Sequence, residues 1–143
     1  MLLSDIISLI KTTHTETKKQ AFPWTDEGLA QYLAWSFSKD YLFIDSDESG
    51  LTGVLVCYVL PYNSNGSIES LLPSNIEVSK ADESAKEIVI MDGIFKTSKA
   101  RKTITNKFMK RFPNWENQKK WAMRKTIPTT LNNRYINLTG TIN

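Results

Sequence analysis

The stretch Glu87-Ile-Val-Ile-Met-Asp-Gly-Ile-Phe95 is followed at once by Lys96-Thr-Ser-Lys-Ala-Arg-Lys-Thr-Ile-Thr-Asn-Lys-Phe-Met-Lys-Arg111. The first part is apolar and rich in β-branched residues, so it predicts a buried strand over residues 87–95. The second part predicts a basic helix from about Ser98 to Arg111, which Pro113 stops. The apolar positions of this helix lie at helical spacing: Ile104, Phe108, Met109 and Phe112. A strand that runs directly into a helix indicates a sheet with helices packed against it.

Outward from this junction, further periodic patterns predict the remaining elements. They are helices over residues 2–11 and 26–38, strands over 41–44 and 51–60 joined by a polar hairpin loop, an irregular connection over 61–86, and closing strands over 119–127 and 133–138. Thr25 is placed to cap the second helix, whose apolar stripe is Leu29, Tyr32, Leu33 and Phe37. The strand over 51–60 is apolar on both pleats, which predicts an interior position in the sheet. This order predicts a mixed α/β (α+β) fold in a single domain, residues 1–143.

Length and composition exclude several classes of protein. At 143 residues the chain can bury a core, and no apolar run reaches the roughly 20 residues that a membrane-spanning helix needs. The first ten residues contain Asp5 and no basic residue, so they indicate an amphipathic helix instead of a secretion signal, and hence a cytoplasmic protein. Cys57 is the only cysteine and lies in an apolar strand, which favours a core thiol. With His14 as the only histidine, a zinc site is not expected.

Charge is divided sharply along the chain. Residues 1–95 carry 6 Lys/Arg and 14 Asp/Glu, a net charge of −8, whereas residues 96–125 carry 11 Lys/Arg and one acid, a net charge of +10. A basic block of this kind attracts phosphates or an acidic partner. Nucleic-acid binding through the block is the weakest hypothesis, because no helix-turn-helix, aromatic ribonucleoprotein motif or zinc knuckle is present. Trp115 and Trp121 are its candidates for base stacking.

The start of the basic helix is a candidate anion site. Free backbone amides, hydroxyls and cations meet there, a combination that suits a pyrophosphate or a phosphopantetheine. The candidate binding residues are Lys96, Ser98, Lys99, Arg101 and Lys102. The alternative is that these cations are only the solvated face of an amphipathic helix.

Asp92 and His14 are the candidate catalytic residues. Asp92 closes the apolar run of its strand, where an ionised carboxylate costs free energy unless a nearby group uses its charge. His14 is the one histidine that could be its partner. The alternatives stay open, since Asp92 could form a turn with Gly93, and a histidine among threonines could be a surface residue.

The strand, turn and helix resemble the fourth strand and third helix of the GNAT acyltransferases, whose Arg/Gln-x-x-Gly-x-Gly/Ala loop holds the pyrophosphate of the donor. On that pattern both glycines fall on threonines, Thr103 and Thr105, and the Arg/Gln falls on Ala100. Threonine side chains obstruct the close backbone approach that glycine permits.

The toxin-activating lysine acyltransferases of the same superfamily also lack these glycines, and the chain resembles them over about residues 14–140. The similar runs are Ile90–Asp92, Phe108–Pro113, His14 before Phe22–Trp24, the strand Val54–Leu60 and the closing strand Arg134–Gly140. Where that family has a serine three residues before its histidine, this chain has Lys11. Small GNAT-like proteins encoded by phages, some of them virion components, resemble the chain equally in length and in their basic helix.

The resemblance implies a GNAT-like, mixed, mostly antiparallel sheet flanked by helices. It also implies transfer of an acyl group from acyl carrier protein (acyl-ACP) or acyl-CoA to a lysine or other amine, with no tightly bound cofactor. His14 would act as base or nucleophile, Asp92 would orient it, and backbone amides near Gly93–Phe95 would receive the oxyanion. The implied partner is an acidic acyl carrier protein or a protein substrate, and a homodimer is left open. The alternative is an inactive virion or interaction protein of a phage.

Overall fold

The computed structural model describes residues 3–18, 25–59, 83, 86–124 and 127–134. Within these residues the elements are α1 Leu3–Lys18, α2 Asp26–Ser38, β1 Leu42–Asp47, β2 Gly50–Val59, β3 Ile88–Phe95, α3 Ser98–Arg111, a 3₁₀ turn Trp115–Asn117, β4 Lys120–Arg124 and β5 Ile127–Leu131. The strands form one sheet in the order β1-β2-β3-β4-β5. All neighbours are antiparallel except β3 and β4, which are parallel and joined through α3. The predicted mixed α/β fold with a mostly antiparallel sheet is confirmed.

Threonine side chains begin two of the helices. Thr25 accepts a hydrogen bond from the Gly28 amide at 3.0 Å, which caps α2 as predicted. Thr97 does the same for the Ala100 amide at 3.0 Å at the start of α3. Both helices end at the predicted residues, Ser38 and Arg111.

Helix α1 is longer than the predicted range of 2–11, because it continues to Lys18. β-Branched threonines disfavour a helix, which is why the sequence predicted an earlier end. In the structure the Thr15 hydroxyl donates to the Lys11 carbonyl at 2.9 Å, so this side chain is satisfied within the helix. The continuation places His14 one turn beyond the buried Ile10.

Strand β2 is buried on both pleats between β1 and β3, so its predicted interior position is confirmed. Helix α3 covers one face: a Cβ added to Gly53 would lie 2.9 Å from Cδ1 of Ile104 and 3.1 Å from Cβ of Ala100. Helices α1 and α2 pack on each other and on the sheet. Because both pleats of β2 are buried, these two helices cover the opposite face. Cys57 is fully buried, which confirms the core thiol.

Two local predictions differ from the structure. Phe37, predicted in the buried stripe of α2, is 62% exposed, and Ser36 is buried instead, with its hydroxyl donating to the Tyr32 carbonyl. The sequence predicted one strand over 119–127, whereas the described residues form two strands there, β4 and β5, and β5 continues through Pro128 to Leu131. Pro128 is tolerated because β5 is an edge strand in the described sheet. Residues 135–138 and most of the predicted connection over 61–86 lie outside the described residues.

Candidate functional site

The hydrogen bonding of the sheet opens between β3 and β4, and the stretch where these two strands no longer pair is called the opening below. The parallel pairing of these strands ends at Ile90 and Ala122. Beyond that point β3 continues to Phe95 and β4 to Arg124, and the described register shows no further pairing between them. Carboxyl ends of parallel strands are where open α/β sheets bind ligands. The opening is therefore the candidate site of the described part of the chain.

A β-bulge lies at the mouth of this opening, on the other side of β3. Asp92 pairs with Val56 and Ile90 pairs with Cys57, so Met91 is an extra residue in the ladder. The extra residue of a bulge leaves backbone polar groups without ladder partners. The bulge and the end of the β3–β4 pairing coincide at residues 90–92. A carbonyl oxygen of a substrate could meet backbone N–H donors there.

Asp92 is part of strand β3. The strand continues through Gly93, which pairs with Leu55, to Phe95. The alternative of an Asp-Gly turn at this position is therefore wrong. The side chain of Asp92 lies outside the described part of the structure, so its pairing with His14 stays a prediction.

His14 lies on the buried side of α1. It follows Ile6 and Ile10 at spacings of one helical turn, and both isoleucines are buried where α1 packs on β2 and β3. The His14 side chain is half-buried and its Nε2 atom is shielded from solvent. The alternative of an ordinary surface histidine does not fit this position. A catalytic base must reach its substrate, so Nε2 would have to become accessible for the predicted role.

The residues predicted to bind a donor surround the start of α3. Three are exposed, Lys96, Ser98 and Lys99, and two are half-buried, Arg101 and Lys102. The Arg101 guanidinium lies 5.9 Å from the centroid of the Phe95 ring, which holds it against the end of β3. Thr97 takes the Ala100 amide, whereas the Ser98 and Lys99 amides in the first turn have no acceptor within α3 and point out of the helix end. This arrangement suits an anion.

An acidic hairpin approaches the same helix end, a feature that the sequence did not reveal. Asp47 has a lowered pKa because Ser49 donates hydrogen bonds to it from its hydroxyl and amide, and because the charge of Lys99 is near. The Lys96 amide donates to the Thr52 carbonyl at 2.7 Å, which ties the β1–β2 hairpin to the start of α3. Part of the positive field of α3 is therefore offset within the molecule.

A second polar cluster lies at the other end of α3. Glu83 is 4% exposed and accepts hydrogen bonds from the Tyr41 hydroxyl at 2.6 Å and from Nη2 of Arg111 at 2.8 and 3.0 Å. Burial, the hydrogen bond to Glu83 and the Glu83 charge all raise the pKa of Tyr41. Arg111 also donates to the carbonyls of Lys39 and Asp40. A buried and fully paired cluster of this kind holds the fold together and offers no reactive group.

The rings of the two tryptophans in the basic block are already in contact with other side chains, which limits the faces available for stacking on a base. Trp115 is 6% exposed and packs on Phe108, with ring centroids 6.4 Å apart. Trp121 donates from Nε1 to Glu87 at 3.0 Å, and the Lys119 ammonium lies 4.5 Å from the centroid of its ring. Base stacking on Trp115 is therefore excluded in this conformation, and one face of Trp121 is occupied.

The described residues contain no group of three or more His, Cys, Asp or Glu side chains that could hold a metal ion. Among the described helices, none combines the length and the hydropathy that a membrane span requires. Comparison of the chain with protein-family models, with curated proteins and with solved structures found no match. The resemblance to GNAT acyltransferases therefore depends on the sequence runs quoted above.

Proposed function

We propose that this protein has a GNAT-like fold and transfers an acyl group from a thioester donor to a lysine or another amine. The observation that carries the proposal is the opening between β3 and β4, beside the bulge at residues 90–92 and below the start of α3. One site thus offers backbone donors for a carbonyl and a helix end for a phosphate. Thioesters of phosphopantetheine carry both groups on one flexible arm.

The chemistry needs few protein groups. The amine attacks the thioester carbon, the C–N bond forms, the C–S bond breaks, and the thiolate leaves. The amine must lose a proton, which ends on the leaving thiolate. In the proposal His14 moves this proton and Asp92 orients the imidazole, after a shift of the end of α1 that makes Nε2 accessible. Amides near the bulge stabilise the oxyanion.

The donor that fits best is an acyl carrier protein. The run that matches the coenzyme-binding pattern, residues 100–105, lies within α3 and not in the loop before it. Thr105 on this run is buried, so a glycine-lined approach to a nucleotide pyrophosphate is absent there. The exposed Lys96 and Lys99 suit the acidic surface of a carrier protein and the single phosphate of its arm.

The second candidate is a GNAT-fold interaction protein without catalysis, of the kind that some phages encode. The buried Nε2 of His14 favours it, because the proposed base has no access to solvent in this conformation. The two candidates differ in a single observable, which is turnover of a bound donor.

The test is to incubate the protein with acyl-ACP and acyl-CoA of several chain lengths and with lysine-containing acceptors, and to detect transfer by mass spectrometry. Transfer should disappear with His14→Ala and Asp92→Asn. Lys99→Ala should raise KM for acyl-ACP by about two- to fivefold, as expected for an exposed ion contact, while Lys119→Ala, before the start of β4, should not. Binding of donors without transfer would favour the interaction protein. The proposal would be overturned if the protein bound none of these donors and transferred no acyl group from any of them.

A further inference from the structure

Strand β1 is an edge strand with part of its backbone turned away from the sheet. The Tyr41 carbonyl accepts a hydrogen bond from the Cys57 amide at 3.0 Å, so Tyr41 is at a position where the backbone faces β2. Bonded and non-bonded pairs alternate along an antiparallel ladder, and Leu42 and Ile44 are therefore non-bonded. Their N–H and C=O groups point outward. Among the described residues β1 pairs only with β2, and such an edge is a template for another strand.

A groove follows this edge on the α3 side, with a volume of about 410 Å³. Its lining consists of Asp40, Leu42, Phe43, Lys107, Lys110 and Arg111. The Lys107 ammonium donates to the Ile44 carbonyl at 2.9 Å, which agrees with the outward direction of that carbonyl. The Arg111 guanidinium forms an ion pair with Glu83, whereas the Lys110 side chain is exposed to solvent. The groove thus sets two lysines beside an open strand edge, which suits an acidic strand.

Strand β1 is itself an acidic strand of the required kind, because Asp45 and Asp47 lie in its second half. Arg111 donates to the carbonyls of Lys39 and Asp40, and Lys107 reaches the Ile44 carbonyl, so α3 runs antiparallel to β1. Lys110 is one turn further along α3 and lies beside the first half of β1. The edge therefore has an acidic end at Asp47 and a basic end at Lys110.

We propose that two copies of this chain associate through their β1 edges, antiparallel about a two-fold axis at Ile44, to form one continuous sheet. In this register Asp47 of each copy lies beside Lys110 of the other, and Lys107 leaves the Ile44 carbonyl, which then accepts from the Ile44 amide of the other copy. A two-fold interface must be complementary to itself, and an edge with one acidic and one basic end meets this condition. The net charges of −8 over residues 1–95 and +10 over residues 96–125 favour the same association.

The test uses charge reversal in the full-length protein, with mass measured by sedimentation over a concentration series. Wild type should reach twice the mass of one chain. Lys110→Glu alone and Asp47→Lys alone should be monomeric, because each places like charges opposite each other at both ends. An equimolar mixture of the two variants should dimerise again, since every contact in the mixed pair is between opposite charges. The control Lys119→Glu, which makes the same change of charge beside β4, should dimerise like wild type.

A second measurement does not depend on any variant. Hydrogen exchange of the Leu42 and Ile44 amides should slow as the wild-type concentration rises, because dimer formation places these outward amides in hydrogen bonds. A monomeric wild type at every concentration overturns the proposal. So does a dimer that is insensitive to Lys110→Glu, or a mixture of variants that stays monomeric, because either result assigns the contact to another surface.

Discussion

Replacing Arg111 by methionine should lower the free energy of unfolding by about 3–5 kcal/mol, the usual cost of leaving a buried charge without its partner. The side chains of Arg111 and Glu83 are only 16% and 5% exposed, so this is not a surface ion pair. In the variant, Glu83 would keep the Tyr41 hydroxyl as a partner but lose both contacts with the guanidinium. Methionine preserves most of the apolar length of the side chain, so the loss reports on the charge.

The measurement is urea unfolding with linear extrapolation, with the slope compared between variants to check that unfolding stays two-state. The matched control is Lys99→Met on the same helix, where the exposed ammonium lies near the exposed Asp47. An exposed ion pair contributes little to stability, so the control should cost much less than Arg111→Met. Adding Glu83→Gln to Arg111→Met should recover part of the loss, because no buried charge then remains.

Equal destabilisation by Arg111→Met and Lys99→Met would contradict a buried ion pair at this position. That outcome would mean that Glu83 reaches solvent or another cation, and that the cluster at the end of α3 does not hold the connection before β3 against the core. A large loss that Glu83→Gln fails to relieve would instead assign the effect to the packing of Arg111 over Tyr41 and Phe112.

Three further predictions concern single positions. Burial raises the pKa of the Cys57 thiol, so the native protein keeps a proton that the unfolded chain loses above about pH 8.5, and stability should fall as the pH rises beyond that value. The destabilisation caused by Cys57→Ala should accordingly shrink between about pH 8 and pH 10 in urea titrations. Gly53→Ala should cost about 1–3 kcal/mol in thermal unfolding, because its Cβ would lie 2.9 Å from Cδ1 of Ile104, whereas Gly93→Ala, with 3.5 Å to its nearest side-chain atom, should cost less. Thr97→Ala should cost about 1 kcal/mol through loss of the α3 cap, and Thr97→Ser, which keeps the hydroxyl, should be nearly neutral; any equal loss in both would contradict the cap.

Local patterns predicted most elements correctly where the residues of one segment decide the outcome. The helix over 98–111 was predicted from its apolar spacing and from Pro113, and the structure has the same bounds. The burial of both faces of β2 could be predicted from the sequence because successive residues of this strand are apolar, without alternating polar positions. Phe37 was misplaced because the buried stripe of α2 continues from Tyr32 and Leu33 to Ser36, so that Phe37 lies beside the stripe.

The sequence could not reveal contacts between distant segments. Glu83 looked like one polar residue in an irregular connection, although its partners Tyr41 and Arg111 make it a buried part of the core. Lys120 is a second example, because a charged side chain in a closing strand would ordinarily be expected at the surface. It is 2% exposed, with its ammonium donating to the carbonyls of Trp115 and Gln118, and burial lowers its pKa. In each case the partner is known only once the chain has folded.

Local sequence patterns were enough to predict the kinds and order of most elements, the cap at Thr25 and the basic character of α3, because these depend on neighbours within a few residues. The three-dimensional structure was needed to show that β3 and β4 are parallel and stop pairing after Ile90, that a bulge lies at the same place, and that the Nε2 atom of His14 is shielded from solvent. The physical reason is that strand pairing and burial are set by contacts between segments far apart in the chain. A local pattern indicates which environments a residue tolerates, and the folded chain determines which residues it contacts.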